Sequence, residues 1–220
     1  MLKTFFNYAV DEGYLLKNPC GGKKIIIPGE KETPKREVET FSTKEILKFK
    51  KSIKNHRLKA LFLLALGTGL RQGELLGLKW NDFDNEYKML KVQRNIKQVN
   101  IISTDGAREY KTIEQTPKSK SSIRTVPIPS SLIPVLKEHR TQQKLEKVKA
   151  GSSYIKSDFV FTTKLGKTIG ARNLLKIYKR ILARAGIPYR KFHALRHTYA
   201  TKLFEAGVPL KTVQMLLGHS

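Results

Sequence analysis

Within Phe192-His193-Ala194-Leu195-Arg196-His197-Thr198-Tyr199, two imidazoles and a guanidinium stand close together in the chain. If His193 opens a helix, Arg196 three residues on lies on its face, while Leu195 and Tyr199, four apart, share another. His193 and Arg196 could then address one anion together. Arginine offers a planar fork of donors that matches phosphate oxygens, and histidine can donate or move a proton near neutral pH. Taken alone, the same two residues are also an ordinary surface pair at a helix start. Arg71, after Thr68-Gly69-Leu70, is open in the same way: it could cap a helix, pair with Glu74 or join an anion site. Lys118 and Lys120 lie in a polar turn, and His219 sits just past Gly218 near Ser220.

A metal is a poorer fit to these residues. His193 and His197 are four apart, but position 194 is Ala rather than the Glu of a zinc-protease helix. Phe159 to Phe204 holds no Asp or Glu, and the chain's one cysteine, Cys20, is far away in sequence. We expect no metal and no cofactor.

The elements that must carry these residues are mostly helical. Residues 4 to 16 read as a helix ending near Gly13, before Asn18-Pro19. Residues 21 to 39, with Gly21-Gly22, Pro28-Gly29 and Pro34 among alternating Lys and Glu, have the composition of a linker. The main body begins at about residue 40. Ser42-Thr43-Lys44-Glu45 has the form of a capping box, opening a helix to about Ile53. Leu58 to Leu66 is apolar nearly all round, as in a buried helix, and Gly67-Thr68-Gly69 breaks it just before Arg71. Glu74 to Leu78 suggests a short helix.

From Tyr87 the apolar period changes to two. Met89, Leu90 and Val92, then Ile96, Val99 and Ile101, then Ile123, Val126 and Ile128 predict three short antiparallel strands. Further helices are expected over 130 to 149, 171 to 185, 193 to 206 and 208 to 217, with a short strand at Phe159 to Thr162. The expected fold class is mainly α with a small antiparallel β-sheet.

Charge narrows the partners. The chain has 220 residues with 43 Lys+Arg against 18 Asp+Glu, a formal net charge of +25. Most of that excess lies beyond residue 50, and Phe159 to Phe204 carries eleven cations with no acid. A one-sign field of this kind attracts a polyanion, nucleic acid before membrane surface. The 40% hydrophobic content supports a folded core, unlike a disordered basic tail. The longest apolar run, Ala60 to Leu66, is too short to cross a bilayer, and the N-terminus lacks a secretory pattern, so an intracellular place is expected.

The combination of Thr68-Gly69-Leu70-Arg71-Gln72-Gly73-Glu74-Leu75, a lysine-bearing turn before Arg124-Thr125-Val126-Pro127, His193-Ala194-Leu195-Arg196-His197-Thr198 and Leu217-Gly218-His219-Ser220 resembles the tyrosine recombinase (phage integrase) family. The resemblance runs over nearly all of residues 40 to 220. Residues 1 to 20, with Tyr8-Ala9-Val10, look like the end of the family's helical core-binding domain.

The resemblance implies roles. Arg71 and Arg196 would grip the scissile phosphate, His193 and His219 would be the histidine pair around it, and Lys118 would be the strand-turn lysine, with Lys120 as the alternative. Glu74 and His197 would buttress them, and Tyr199 would pack in the core. The implied activity is site-specific DNA recombination through a 3′-phosphotyrosine intermediate, serving integration or excision of a phage or other mobile element. The implied partners are double-stranded DNA, further copies of the protein on that DNA, and accessory bending or directionality proteins, in a bacterial cytoplasm. The family's nucleophilic tyrosine follows the Gly-His-Ser segment, where this chain stops at Ser220. The expectation is therefore a fragment that binds DNA without cutting it. Two other readings are a non-catalytic DNA-binding module and, with less support, an RNA-binding protein.

Overall fold

A computed structural model describes residues 2–21, 38–102, 108–115 and 123–218. The chain divides into two compact units, 1–37 and 38–220. Nearly all of the expected linker, with Lys118, Lys120 and His219, lies outside the described residues.

In the first unit, α1 (Leu2–Asp11) gives way to a turn at Gly13, whose φ is +74°. Asn18 folds back on this helix, donating to the Lys3 carbonyl at 3.1 Å and accepting the Cys20 amide at 2.7 Å.

The second unit is a helical body with two small antiparallel sheets. Its first helix, α2 (Thr43–Ser52), starts as the sequence requires: the Glu45 amide donates to Ser42 Oγ at 3.3 Å, and Glu45 Oε2 accepts the Ser42 amide at 2.9 Å. That arrangement satisfies two of the donors that a helix start leaves open. The buried α3 (Lys59–Thr68) runs through Gly67 and Thr68 and breaks only at Gly69. The short α4 (Gln72–Leu76) follows, with Arg71 as its N-cap.

Between residues 87 and 128, the described residues form four strands where three were expected. β1 (Met89–Val92) pairs with β4 (Arg124–Pro127), and β2 (Asn95–Ile102) pairs with β3 (Arg108–Gln115). β3 lay in a stretch read as polar. Its sequence REYKTIEQ lacks the apolar alternation of a half-buried strand, and the eight-residue ladder with β2 supplies the pairing instead. In the other sheet Leu90 stands opposite Val126 and Val92 opposite Arg124, and all four are buried. The strand expected at Phe159 to Thr162 reduces to isolated bridges, Lys79 with Phe159 and Thr162 with Thr168.

The remaining helices are α5 (Ile133–Ala150), α6 (Ala171–Arg184), α7 (Ala194–Glu205) and α8 (Leu210–Leu217). An aromatic cluster joins α2, α3 and α6. Phe49 of α2 meets Phe62 of α3 edge-on at 5.8 Å, and Tyr178 of α6 stands 5.2 Å from Phe192, just before α7. Thr198 Oγ1 donates to the Ala194 carbonyl at 2.7 Å and accepts the Phe41 amide at 2.9 Å. The start of the body is thereby tied to α7, and α7 is held against α3. Among the described residues no helix is long and apolar enough to cross a membrane.

Candidate active site

The break in α3 sets the first side of the site. Gly69 takes φ +62°, which side chains with a Cβ rarely adopt, and its amide still closes the helix on Ala65. A Cβ here would stand 2.4 Å from Tyr199 Cδ1 and 3.1 Å from Leu217 Cδ2. Only glycine lets α7 and α8 approach this closely. The turn also aims the Gly69 carbonyl at α7, where it accepts Arg196 Nη1 at 2.9 Å.

Arg71 and Glu74 are locked together at the start of α4. Glu74 Oε2 accepts the Arg71 amide at 2.8 Å, and Oε1 accepts Arg71 Nη1 at 2.8 Å. The same carboxylate receives both arms of Arg124, Nη1 at 3.0 Å on Oε1 and Nη2 at 2.9 Å on Oε2. Burial alone would push the Glu74 carboxyl up, but the hydrogen bonds and charge of Arg124, with those of Arg71, hold it below the ordinary carboxylate value. Arg71 keeps 40% of its side chain exposed, whereas Arg196 is only 3% exposed.

Three consecutive carbonyls at the end of α8 each accept from a different arginine. Leu216 O accepts Arg124 Nε at 2.7 Å, Leu217 O accepts Arg196 Nη2 at 2.6 Å, and Gly218 O accepts Arg71 Nη2 at 3.1 Å. A helix C-terminus leaves such carbonyls unsatisfied and carries partial negative charge, which three cations complement. Crowding has a cost. Burial and the neighbouring charge of Arg71 push the Arg196 pKa down to about 10, still far enough above neutrality to keep it cationic.

His193 is the N-cap of α7, exposed, with its ring 4.7 Å from that of His197 and nearly perpendicular to it. Burial and the charge of Arg196 lower the His197 pKa, favouring a neutral ring. His193, Arg196 and His197 line a hollow of about 270 Å³ with Leu210, Val213 and Leu217. Tyr199 packs on Gly69 instead, and burial pushes its phenol up. Among the described residues no three His, Cys, Asp or Glu groups cluster to hold a metal.

Of the residues singled out in the sequence, the fold brings Arg71 and Arg196 to one turn and sets His193 beside Arg196 in one hollow. Lys118, Lys120 and His219 lie outside the described residues. Sequence reasoning assigned Arg124 no role. Its signal was strand parity, since Arg124 is two residues from the inward Val126, and a cation on the core face of a strand requires a buried acid.

A family model described as the phage integrase family matches residues 37–220. A protein named Tyrosine recombinase XerC-like, from Caldanaerobacter subterraneus subsp. tengcongensis, is 72% identical over 223 residues, covering 100% of this chain and 57% of that protein. The Tn1549 transposon integrase in complex with circular intermediate DNA shares the fold, with TM-score 0.71 at 20% identity over 99% of this chain and 68% of that one. The XerH site-specific recombinase bound to difH substrate gives TM-score 0.59 at 26% identity, over 83% of this chain and 47% of that one. The chain spans a little over half the length of the curated relatives it matches.

Proposed function

The chain belongs to the phage integrase family, and from that premise we propose that it carries the phosphate-gripping part of a site-specific DNA recombinase. The observation that carries this reading is the meeting of Arg71 and Arg196, from distant parts of the sequence, at one turn. Two guanidiniums fixed before substrate arrives can neutralise the charge that gathers on the non-bridging oxygens of a phosphodiester under attack.

The remaining steps follow from the residue types. A tyrosine hydroxyl of the whole protein, downstream of Gly218-His219-Ser220, attacks phosphorus as His193 takes up its proton. The bond from phosphorus to the 5′ oxygen breaks, and Lys118 supplies the proton that the departing oxygen needs. The 3′-phosphotyrosine link keeps the bond energy for rejoining, so the second strand's 5′ hydroxyl can reverse the step without hydrolysis. His219 adds a further donor to the phosphate. The partner is double-stranded DNA, in keeping with the net charge of +25 and the acid-free stretch of residues 159 to 204. Strand exchange also calls for several copies on the DNA, with accessory bending or directionality proteins as further partners, inside a bacterial cell.

Covalent trapping on a nicked suicide duplex tests the reading. The duplex carries the element's attachment core, and this chain is compared with the same chain extended through a following helix that includes a tyrosine. An adduct on the extended chain that Arg196→Ala abolishes supports the recombinase. Tight DNA binding with no adduct from either chain would favour a binding module instead.

A further inference from the structure

Arg124 lies outside the set of groups assigned to the phosphate, yet it is a buried cation bonded to two of the elements beneath them. β4 turns it inward opposite Val92, where it is 9% exposed. From that place one planar group reaches in two directions. Nη1 and Nη2 take both oxygens of Glu74 at 3.0 and 2.9 Å, and Nε takes the Leu216 carbonyl at 2.7 Å. Gly218 lies flat against it: a Cβ there would be 2.9 Å from Arg124 Nη1. Gly218 is also the acceptor of Arg71 and immediately precedes His219.

We infer that Arg124 is a positioning residue for the phosphate clamp, orienting Arg71 through the shared Glu74 carboxylate and fixing the end of α8 through Leu216. The inference rests on the recombinase reading above. With Arg124 in place, both oxygens of Glu74 are already engaged, so Arg71 takes one of them with Nη1 and turns Nη2 to Gly218. Without it, Glu74 is a buried carboxylate with Arg71 as its remaining cation among these contacts: Oε2 keeps only the Arg71 amide, and its freed lone pair draws the Arg71 guanidinium away from the phosphate position. A lysine cannot substitute, because a point ammonium cannot hold both carboxylate oxygens and a carbonyl in one plane. Arg124 acts on the chemistry only through these neighbours.

The test uses the extended chain in single-turnover cleavage at saturating DNA, on a scissile phosphodiester and on a methylphosphonate at the same position. The methylphosphonate lacks the charged oxygen that Arg71 would neutralise. Arg124→Lys is expected to slow cleavage of the phosphodiester roughly 30-fold, with DNA affinity changed by no more than about threefold, as outer-shell substitutions do. On the methylphosphonate the penalty should shrink to about threefold or less, because misplacing Arg71 matters little where no charge develops. An equal penalty on both substrates, or a loss that only follows DNA affinity, overturns the inference while leaving the recombinase reading intact. Absence of any adduct from the unsubstituted extended chain overturns both. Should Arg124→Lys not fold, Arg124→Gln, which leaves the Arg71–Glu74 bonds in place, must show the same difference between substrates.

Discussion

The Gly69 carbonyl holds Arg196 from behind, accepting Nη1 at 2.9 Å while Leu217 holds the other arm at 2.6 Å. The turn that ends one helix thus orients a side chain of another, and the orientation depends on Gly69 lacking a Cβ. Gly69→Ala is expected to destabilise the protein by about 2 kcal/mol or more, from the left-handed backbone and the collision with Tyr199. Thermal denaturation reads the loss. A variant as stable as the parent would show that α7 can shift without harm.

Glu74 should make the fold acid-sensitive. Its carboxyl lies below the ordinary value of 4.5 in the folded protein, so its contribution is fully present above about pH 4.5 and is lost as pH falls through the folded value. Denaturant midpoints measured from pH 6 down to pH 3 should fall across that window. Glu74→Gln should flatten the fall while costing about 3 kcal/mol at neutral pH, because the buried Arg124 loses its counter-charge. An unchanged slope would remove Glu74 from the account.

Away from the site, Arg57 grips Glu146 with Nε at 2.7 Å and Nη2 at 2.6 Å, and donates Nη1 to the Thr162 carbonyl at 2.6 Å. Glu146→Met, which strands a cation, should cost about 2 to 3 kcal/mol, and adding Arg57→Met should recover part of that loss. Urea denaturation of the single and double variants measures the coupling, and strictly additive losses would argue against it.

DNA affinity should fall steeply with salt. If the basic surface contacts six or more phosphates, raising salt from 50 to 200 mM weakens binding by about 10³-fold through counterion uptake. Titrations of a labelled duplex at several salt concentrations give the slope. A nearly flat line would mean that the charge of +25 is not what holds the DNA.

Much of this was legible in the sequence because the signals were local. The Ser42 and Glu45 capping box needed only its own four residues, and Gly69 announced the end of an apolar helix. Period-two alternation located β1 and β2 for the same reason. β3 was not legible, since its pairing partner is β2 and its own residues carry no burial pattern. Pro209 disfavours helical backbone at Val208, the residue before it, and stands at the N-cap of α8, which is why that helix begins at Leu210 rather than Val208.

The site divides in the same way. Arg71, His193 and Arg196 could be picked out by residue type and order. Arg124 could be seen to face inward by parity, but nothing nearby in sequence names Glu74, fifty positions earlier, as its acid. The carbonyls of Gly69, Leu216, Leu217 and Gly218 leave no trace in side-chain identity at all. Their role exists only once the backbone has folded.

The three-arginine turn at the end of α8 also bears on the order of folding. The bonds from Arg71 to Gly218 and from Arg124 to Leu216 join residues 147 and 92 positions apart. Closing loops of that length is entropically costly, so such contacts form after the local helices and hairpins. We therefore expect Arg124→Lys to accelerate unfolding while leaving the refolding rate nearly unchanged, a φ-value near zero in stopped-flow chevrons. On the proposed reading, a newly made chain would then display its cations to passing polyanions well before it could hold a phosphate in register, and competence would arrive last, with the closing of this turn.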